Sequence, residues 1–184
     1  ILINKNSKKR DVISFIGPQS KFVKNSNNSI KKVLLILRKN NLISDYYSIK
    51  VNKKIPVFAG FGGGSSNAAV ILKFHLKKNI KNDIKEKLIK IIGSDLRLFF
   101  YNRGYQKNLK TIIKNEKNYK LYFLLVYPNI KCSTKEIYAK IKNFTKKEIF
   151  NPNIFKKKRK FINYLINASN DLQSVVEKKH QKIK

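Results

Sequence analysis

The chain has 184 residues and is 42% hydrophobic, which is enough to bury a core in one large domain or two small ones. Its single cysteine excludes an internal disulfide framework and predicts a reducing, cytoplasmic location, and no apolar run approaches the ~18 residues of a membrane span. The formal net charge of +32 is compatible with nucleic-acid binding, but the basic residues are spread along the chain, so we favour A/T-rich codon usage as their origin.

Hydrophobic periodicity predicts short strands and helices along the first hundred residues. Residues 1–3 have the composition of the middle of a strand, and the chain has no methionine, so we expect a fragment that lacks its natural start. Further strands are predicted at 11–16 and 46–51, and helices are predicted from Ser29 to Asn40, from the glycines of residues 60–64 to about Lys78, and from Asn82 to Gly93.

The second part of the chain has weaker patterns. The apolar run 121–127, which ends at Pro128, predicts the clearest buried strand of the sequence. The polar segment 115–120 predicts a boundary between domains at 1–116 and 117–184. We also predict a strand at 109–113, a basic linker at 151–160, and helices at 135–141, 161–165 and 170–176. Because strands and helices mix without regular alternation, the fold class is predicted to be α+β.

Four of the seven glycines lie within residues 60–64, directly before small and apolar residues at helical spacing. A glycine turn that opens a helix leaves N–H groups free at the positive end of the helix dipole, which favours a bound phosphate. No lysine follows the glycines as a P-loop requires, and Ser65 or Asn67 stands where a dinucleotide-binding loop needs its third glycine. The sequence therefore predicts a nucleotide-phosphate loop of another kind.

The run P-V-F-A-G-F-G-G-G-S-S-N-A-A at residues 56–69 resembles the glycine-rich loop of the GHMP small-molecule kinases. Within that family it is most similar to the branch that phosphorylates a cytidine diphosphate-linked methylerythritol in isoprenoid biosynthesis. Segments 27–30, 92–95, 127–138 and 170–173 resemble family motifs in the same order. The resemblance implies a GHMP kinase fold, with an N-terminal domain like domain 2 of ribosomal protein S5 and a partial, ferredoxin-like C-terminal domain. It also implies ATP, Mg²⁺ and phosphoryl transfer to the 2-hydroxyl of that small-molecule substrate.

The resemblance also implies roles for single residues. Asp95 is the counterpart of the general base, and the alternative role is a helix cap. Thr134 and Tyr138 share a helix face where an aromatic ring stacks on cytosine, and the alternative is a Tyr138 that packs in the core. The resemblance gives Arg97 no role, and the sequence leaves open a pair with Asp95 or a contact with a phosphate. ATP is expected to be wrapped by the loop residues Pro56, Val57, Phe58, Ala59, Gly60, Phe61, Gly62, Gly63, Gly64, Ser65 and Ser66.

The chain departs from the family in three places. It has no P-A-K-I-N-L-like strand with the catalytic lysine, no G-Y-H motif and no G-S-G-A-like loop near its end. These absences predict truncation at both ends. Three alternatives stay open: another GHMP kinase acting on homoserine or mevalonate, an inactive fragment, and a basic nucleic-acid-binding protein. We expect no membrane partner and no specific nucleic acid, and the sequence leaves the oligomeric state open.

Overall fold

Residues 1–76, 81–130, 132–142, 144–145 and 151–183 are described by a computed structural model. They form two units: Ile1–Val57 with Phe61–Asn102, and Phe58–Gly60 with Arg103–Lys184. Units defined by contacts and domains defined by family motifs are different divisions, so the boundary at 116/117 remains a prediction.

A three-stranded sheet lies in the first unit. Its strands are β1 (Leu2–Asn6), β2 (Val12–Ile16) and β3 (Tyr46–Asn52), in the order β1-β3-β2. β1 is antiparallel to β3 and β2 is parallel to it, with both Ile3 and Ile13 opposite Ile49. Side chains of β3 alternate, with Tyr47, Ile49 and Val51 buried. The strands predicted at 11–16 and 46–51 are confirmed.

Three helices complete the first unit: α1 (Ser29–Lys39), α2 (Gly63–Leu76) and α3 (Asn82–Ile92). Each was predicted, although the expected end of α2 near Lys78 lies outside the described residues. Asn28, rather than Ser29, caps α1, because its Oδ1 accepts a hydrogen bond from Lys31 N at 3.0 Å. The core is formed by apolar residues of the sheet, of these helices and of the 3₁₀ helix Ser94–Phe100, chiefly Ile30, Val33, Leu34, Leu37, Ile49, Val51, Ile71, Leu72, Leu88 and Leu96.

The second unit contains a hairpin and short helices. The hairpin pairs β4 (Gly104–Gln106) with β5 (Ile112–Lys114), and the helices are α4 (Thr134–Ala139), α5 (Lys158–Asn167) and α6 (Gln173–Lys179). Phe155 is buried and packs edge-to-face on Phe161, with ring centroids 5.2 Å apart. None of the helices in the described residues is both long enough and apolar enough to cross a bilayer.

Two predictions in the second unit are wrong. Residues 121–127 form no strand, and Tyr122, Leu124 and Val126 are 80%, 91% and 74% exposed. The predicted linker 151–160 instead contains a 3₁₀ helix, Pro152–Lys156, and the first residues of α5. The mixture of two antiparallel strand pairs, one parallel pair and separate helices agrees with an α+β class.

Candidate active site

The N-terminus of α2 presents free backbone donors. The first helical hydrogen bond runs from Ser66 N to Gly62 O at 2.8 Å. In the described part of the chain, the N–H groups of Gly63, Gly64 and Ser65 have no acceptor. Three free donors therefore lie at the positive end of a 14-residue helix, an arrangement that favours bound phosphate.

The backbone conformation and the surroundings at position 62 both favour glycine. Its φ is +62°, in the left-handed region, and a Cβ at this position would lie 3.3 Å from both Cε2 and Cζ of Phe99. Phe99 belongs to the 3₁₀ helix Ser94–Phe100. The glycine therefore lets this short helix pack directly against the loop.

Gly63 leaves room for a buried lysine. A Cβ on Gly63 would lie 2.7 Å from Lys53 Nζ and 3.2 Å from Ile55 Cγ2. Lys53 is only 6% exposed, and burial lowers the pKa of its ammonium group. Our sequence analysis missed Lys53, although its position two residues beyond the buried Val51 continues the inward register of β3 and could have revealed it.

The start of α1 braces the first turn of α2. Ser29 Oγ donates a hydrogen bond to Gly64 O at 2.7 Å. This contact joins the segment 27–30 to the glycine-rich loop, two motifs that the sequence presents 35 residues apart. Gly64 itself has more space, since the nearest atom to a Cβ there is Ser29 Oγ at 3.9 Å.

Asp95 lies on the same 3₁₀ helix as Phe99. Its side chain is exposed, whereas the next residue, Leu96, is fully buried and anchors the helix. Within the described ranges, no side chain pairs with the Asp95 carboxylate. The Asp95 carboxylate is therefore accessible from solvent, on an element that contacts the loop.

Arg97 does not pair with Asp95, contrary to one of the two expectations. Its guanidinium donates two hydrogen bonds to Glu86 on α3, Nη1 to Oε1 at 2.8 Å and Nη2 to Oε2 at 2.7 Å. The hydrogen bonds to Glu86 raise the pKa of Arg97, while burial opposes the shift. Because the Arg97 side chain is 8% exposed and already paired, the expectation that it contacts a phosphate is not supported either.

The two predicted substrate-binding residues lie on α4 in the second unit. Thr134 is its exposed first residue, and Ser133 Oγ caps the helix by accepting from Glu136 N at 3.4 Å. Tyr138 is 53% exposed, so the alternative of a core-facing ring is wrong. Also within this unit, Cys132 N donates to the carbonyl of Phe58, a loop residue with a φ of +62°, at 3.1 Å.

Comparisons with known proteins address the same residues. Residues 28–97 match the GHMP kinases N terminal domain, a range that runs from the cap of α1 to Arg97 and includes the loop and Asp95. Similar proteins include the 4-diphosphocytidyl-2-C-methyl-D-erythritol kinases of Pelagibacter ubique, 38% identical over 100% of this chain, and of Buchnera aphidicola, 33% identical over 90% of it. The enzyme of the same name from Ureaplasma parvum is 30% identical over 78% of the chain. The matches cover 66%, 58% and 56% of these relatives, less than two thirds of their length.

Proposed function

This chain belongs to the GHMP kinase family, and we propose that its protein transfers the γ-phosphoryl group of ATP to the 2-hydroxyl of 4-diphosphocytidyl-2-C-methyl-D-erythritol. The observation that carries the proposal is the contact between Gly62 and Phe99, because it joins the glycine-rich loop to the short helix that bears Asp95. The relatives that share the chain's whole length or most of it are named for this substrate. We further propose the S5-like and ferredoxin-like domains, divided at 116/117, and a cytoplasmic location consistent with the free Cys132.

The loop residues act by binding and orienting the triphosphate. The N–H groups of Gly63, Gly64 and Ser65 have no backbone acceptor within the described residues, so they are free to receive phosphate oxygens. We assign the triphosphate to residues 56–66, with the hydroxyls of Ser65 and Ser66 as additional contacts. Orientation of this kind supplies most of the catalysis in phosphoryl transfer, since the protein has little covalent chemistry to perform.

Asp95 removes the proton of the attacking hydroxyl. As the substrate oxygen forms its bond to the γ-phosphorus, the bond between that phosphorus and the β–γ bridging oxygen breaks, ADP leaves, and the proton passes to the Asp95 carboxylate. Mg²⁺, when bound with ATP, neutralises charge on the phosphate oxygens. The described residues contain no group of three or more His, Cys, Asp and Glu side chains that would hold a metal, so we propose that the phosphate oxygens of ATP would supply most of the Mg²⁺ ligands.

Thr134 and Tyr138 are proposed to bind the cytidine end of the substrate. They lie four residues apart on α4, on one face of the helix, and the Tyr138 ring is accessible. An exposed aromatic ring offers a flat surface on which a base can stack.

The test uses the protein expressed from its complete reading frame. We expect ADP formation that depends on 4-diphosphocytidyl-2-C-methyl-D-erythritol, and a kcat that falls at least about 100-fold in Asp95→Asn, because the base is lost while its shape is kept. Asp83→Asn is the matched control, since Asp83 is an exposed aspartate in the first turn of α3 and should leave kcat unchanged.

The outcomes separate the alternatives. An unchanged kcat in Asp95→Asn refutes the assignment of the base. Turnover with homoserine or mevalonate in place of the cytidine-linked alcohol assigns the protein to another branch of the family. Absence of ADP formation with every alcohol contradicts the proposed activity.

A further inference from the structure

We propose that Lys53 and the N-terminus of α2 together form an anion site, in which the Lys53 ammonium binds a phosphate group held by the free N–H groups of Gly63, Gly64 and Ser65. The inference rests on the proposed function in taking that phosphate to belong to the nucleotide. It adds a side chain to a loop whose contacts with phosphate were assigned to residues 56–66 alone.

The backbone of Lys53 is fixed on both sides. Its N–H donates to Ile16 O at 2.7 Å, which extends the pairing of β2 and β3 by one residue, and its carbonyl accepts from Gln19 N at 3.1 Å. With the backbone held at two points, the side chain has to follow the inward register of β3. It therefore lies among buried groups and not in solvent, as its 6% exposure confirms.

The position of the ammonium is unfavourable in the absence of a ligand. Across the described residues, no acidic side chain forms an ion pair with Lys53, and Nζ takes part in none of the side-chain hydrogen bonds. Buried lysines are almost always paired, because a desolvated cation without a counter-charge is destabilising. Here the cation also lies against Gly63 at the positive end of a helix dipole, where it is repelled further.

A bound anion would offset both the desolvation of the unpaired ammonium and its repulsion by the helix dipole. A phosphate group at the start of α2 would accept from the helix N–H groups and from Lys53 Nζ, so that the two positive groups face a shared negative charge. The absence of a side chain at residue 63 supports this reading, since a Cβ there, 2.7 Å from Nζ, would displace the ammonium from the helix end. The neighbouring Lys54 is exposed and serves as an internal comparison.

The experiment measures inorganic pyrophosphate, ADP and adenosine binding by calorimetry in wild type, Lys53→Met and Lys54→Met at about 0.15 M salt, where long-range surface charge is screened. We expect Lys53→Met to weaken pyrophosphate and ADP binding at least about 10-fold, because a desolvated charge-assisted contact is lost. Adenosine affinity should stay within about twofold, and Lys54→Met should bind all three probes as wild type does.

A second readout separates this role from a structural one. Lys53→Met removes an unpaired buried cation, so the ligand-free variant is expected to have a Tm equal to or higher than that of wild type. A lysine needed only for packing would give a lower Tm with unchanged pyrophosphate affinity, which overturns the proposal. Lys53→Gln repeats both measurements should Lys53→Met fold poorly.

The remaining outcomes distinguish the two proposals. Unchanged pyrophosphate and ADP binding in Lys53→Met refutes the role of Lys53 and leaves the kinase assignment intact. Equal losses for adenosine and ADP also refute it, because the lysine would then contact the nucleoside. Pyrophosphate binding that depends on Lys53 in a protein that binds no ADP supports the anion site and contradicts the proposed kinase function.

Discussion

Gly62 and Gly64 lie two residues apart but differ in what the backbone requires of them. Gly62 has a positive φ and faces the Phe99 ring, so Gly62→Ala is expected to destabilise the protein by roughly 1–2 kcal/mol. Gly64 is inside α2 with open space around it, so Gly64→Ala is expected to be neutral or to stabilise by up to about 1 kcal/mol. Urea unfolding of the two variants measures the difference, and a Gly62→Ala variant as stable as Gly64→Ala contradicts this account.

The buried imidazole of His75 is expected to make the free energy of unfolding depend on pH. Its ring packs edge-on against Tyr47, with centroids 4.5 Å apart, and burial lowers the pKa of the imidazole, an effect modified by the nearby charges of Asp11, Arg38 and Asp45. The unfolded chain binds the proton near pH 6.5 and the folded chain only at lower pH. The free energy of unfolding should therefore fall as the pH drops from about 7 towards the folded-state pKa.

The measurement is a series of urea unfolding curves between about pH 7 and pH 5, with His75→Phe as the test variant and His180→Phe as the control. His75→Phe should flatten the decline, because it removes the group that gains a proton on unfolding. A decline of the same size in wild type and His75→Phe would assign the pH dependence to other groups.

At the scale of elements, the 3₁₀ helix Ser94–Phe100 is fixed by three contacts that leave Asp95 exposed. Leu96 is buried in the core, Phe99 lies against Gly62, and Arg97 pairs with Glu86 on α3. The pair connects two elements that are separated by only Gly93 and ties the 3₁₀ helix to α3. We therefore expect Arg97 to position Asp95 in the proposed reaction through this helix.

Glu86→Gln tests the pair. The substitution leaves the buried guanidinium without its counter-charge, and we expect a loss of about 1–2 kcal/mol, moderated because the Glu86 side chain is 48% exposed. Adding Arg97→Met should restore part of that stability, since the uncompensated charge is then removed. Unfolding of the two single variants and the double variant completes the cycle, and additive losses would show that the two side chains do not interact.

Elements were predicted correctly where residues close together in the sequence determine the local structure. Apolar residues at helical spacing give α1 the bounds expected from the sequence, and Gly93 ends α3 with a φ of +132°. The run 121–127 failed because apolar content indicates that a segment can be buried, not that a partner strand is available to bury it.

Residues of the candidate site also divide into those that local sequence motifs revealed and those that they did not. The glycines and Asp95 were found because their motifs are contiguous in sequence, and their roles stay predictions. Lys53 was missed and the role of Arg97 stayed open because their environments depend on contacts with other elements, with Gly63 and with Glu86 respectively. Sequence spacing alone does not reveal which acidic side chain, if any, pairs with a buried lysine or arginine.

At the scale of the whole molecule, the charge is dominated by the shortage of acids. The chain has 42 Lys and Arg but only 10 Asp and Glu, so most of its cations have no carboxylate to pair with. Ion pairs among the described residues engage Asp11, Asp45, Glu86 and Glu136. A surface of this kind attracts any polyanion through counterion release, without reading its sequence.

This gives a prediction that separates a kinase from a nucleic-acid-binding protein. Labelled single-stranded RNA should bind at about 0.05 M salt and lose at least about 100-fold in affinity by 0.3 M, because several phosphate contacts are screened together. ADP binding depends on a fixed loop and few charges, so its affinity should fall far less over the same range. Fluorescence anisotropy for RNA and calorimetry for ADP make the comparison on one protein sample. Tight RNA binding that survives 0.3 M salt, in a protein that does not bind ADP, would favour the nucleic-acid-binding alternative, whereas the opposite pattern assigns the excess charge to composition and the glycine-rich loop to the nucleotide.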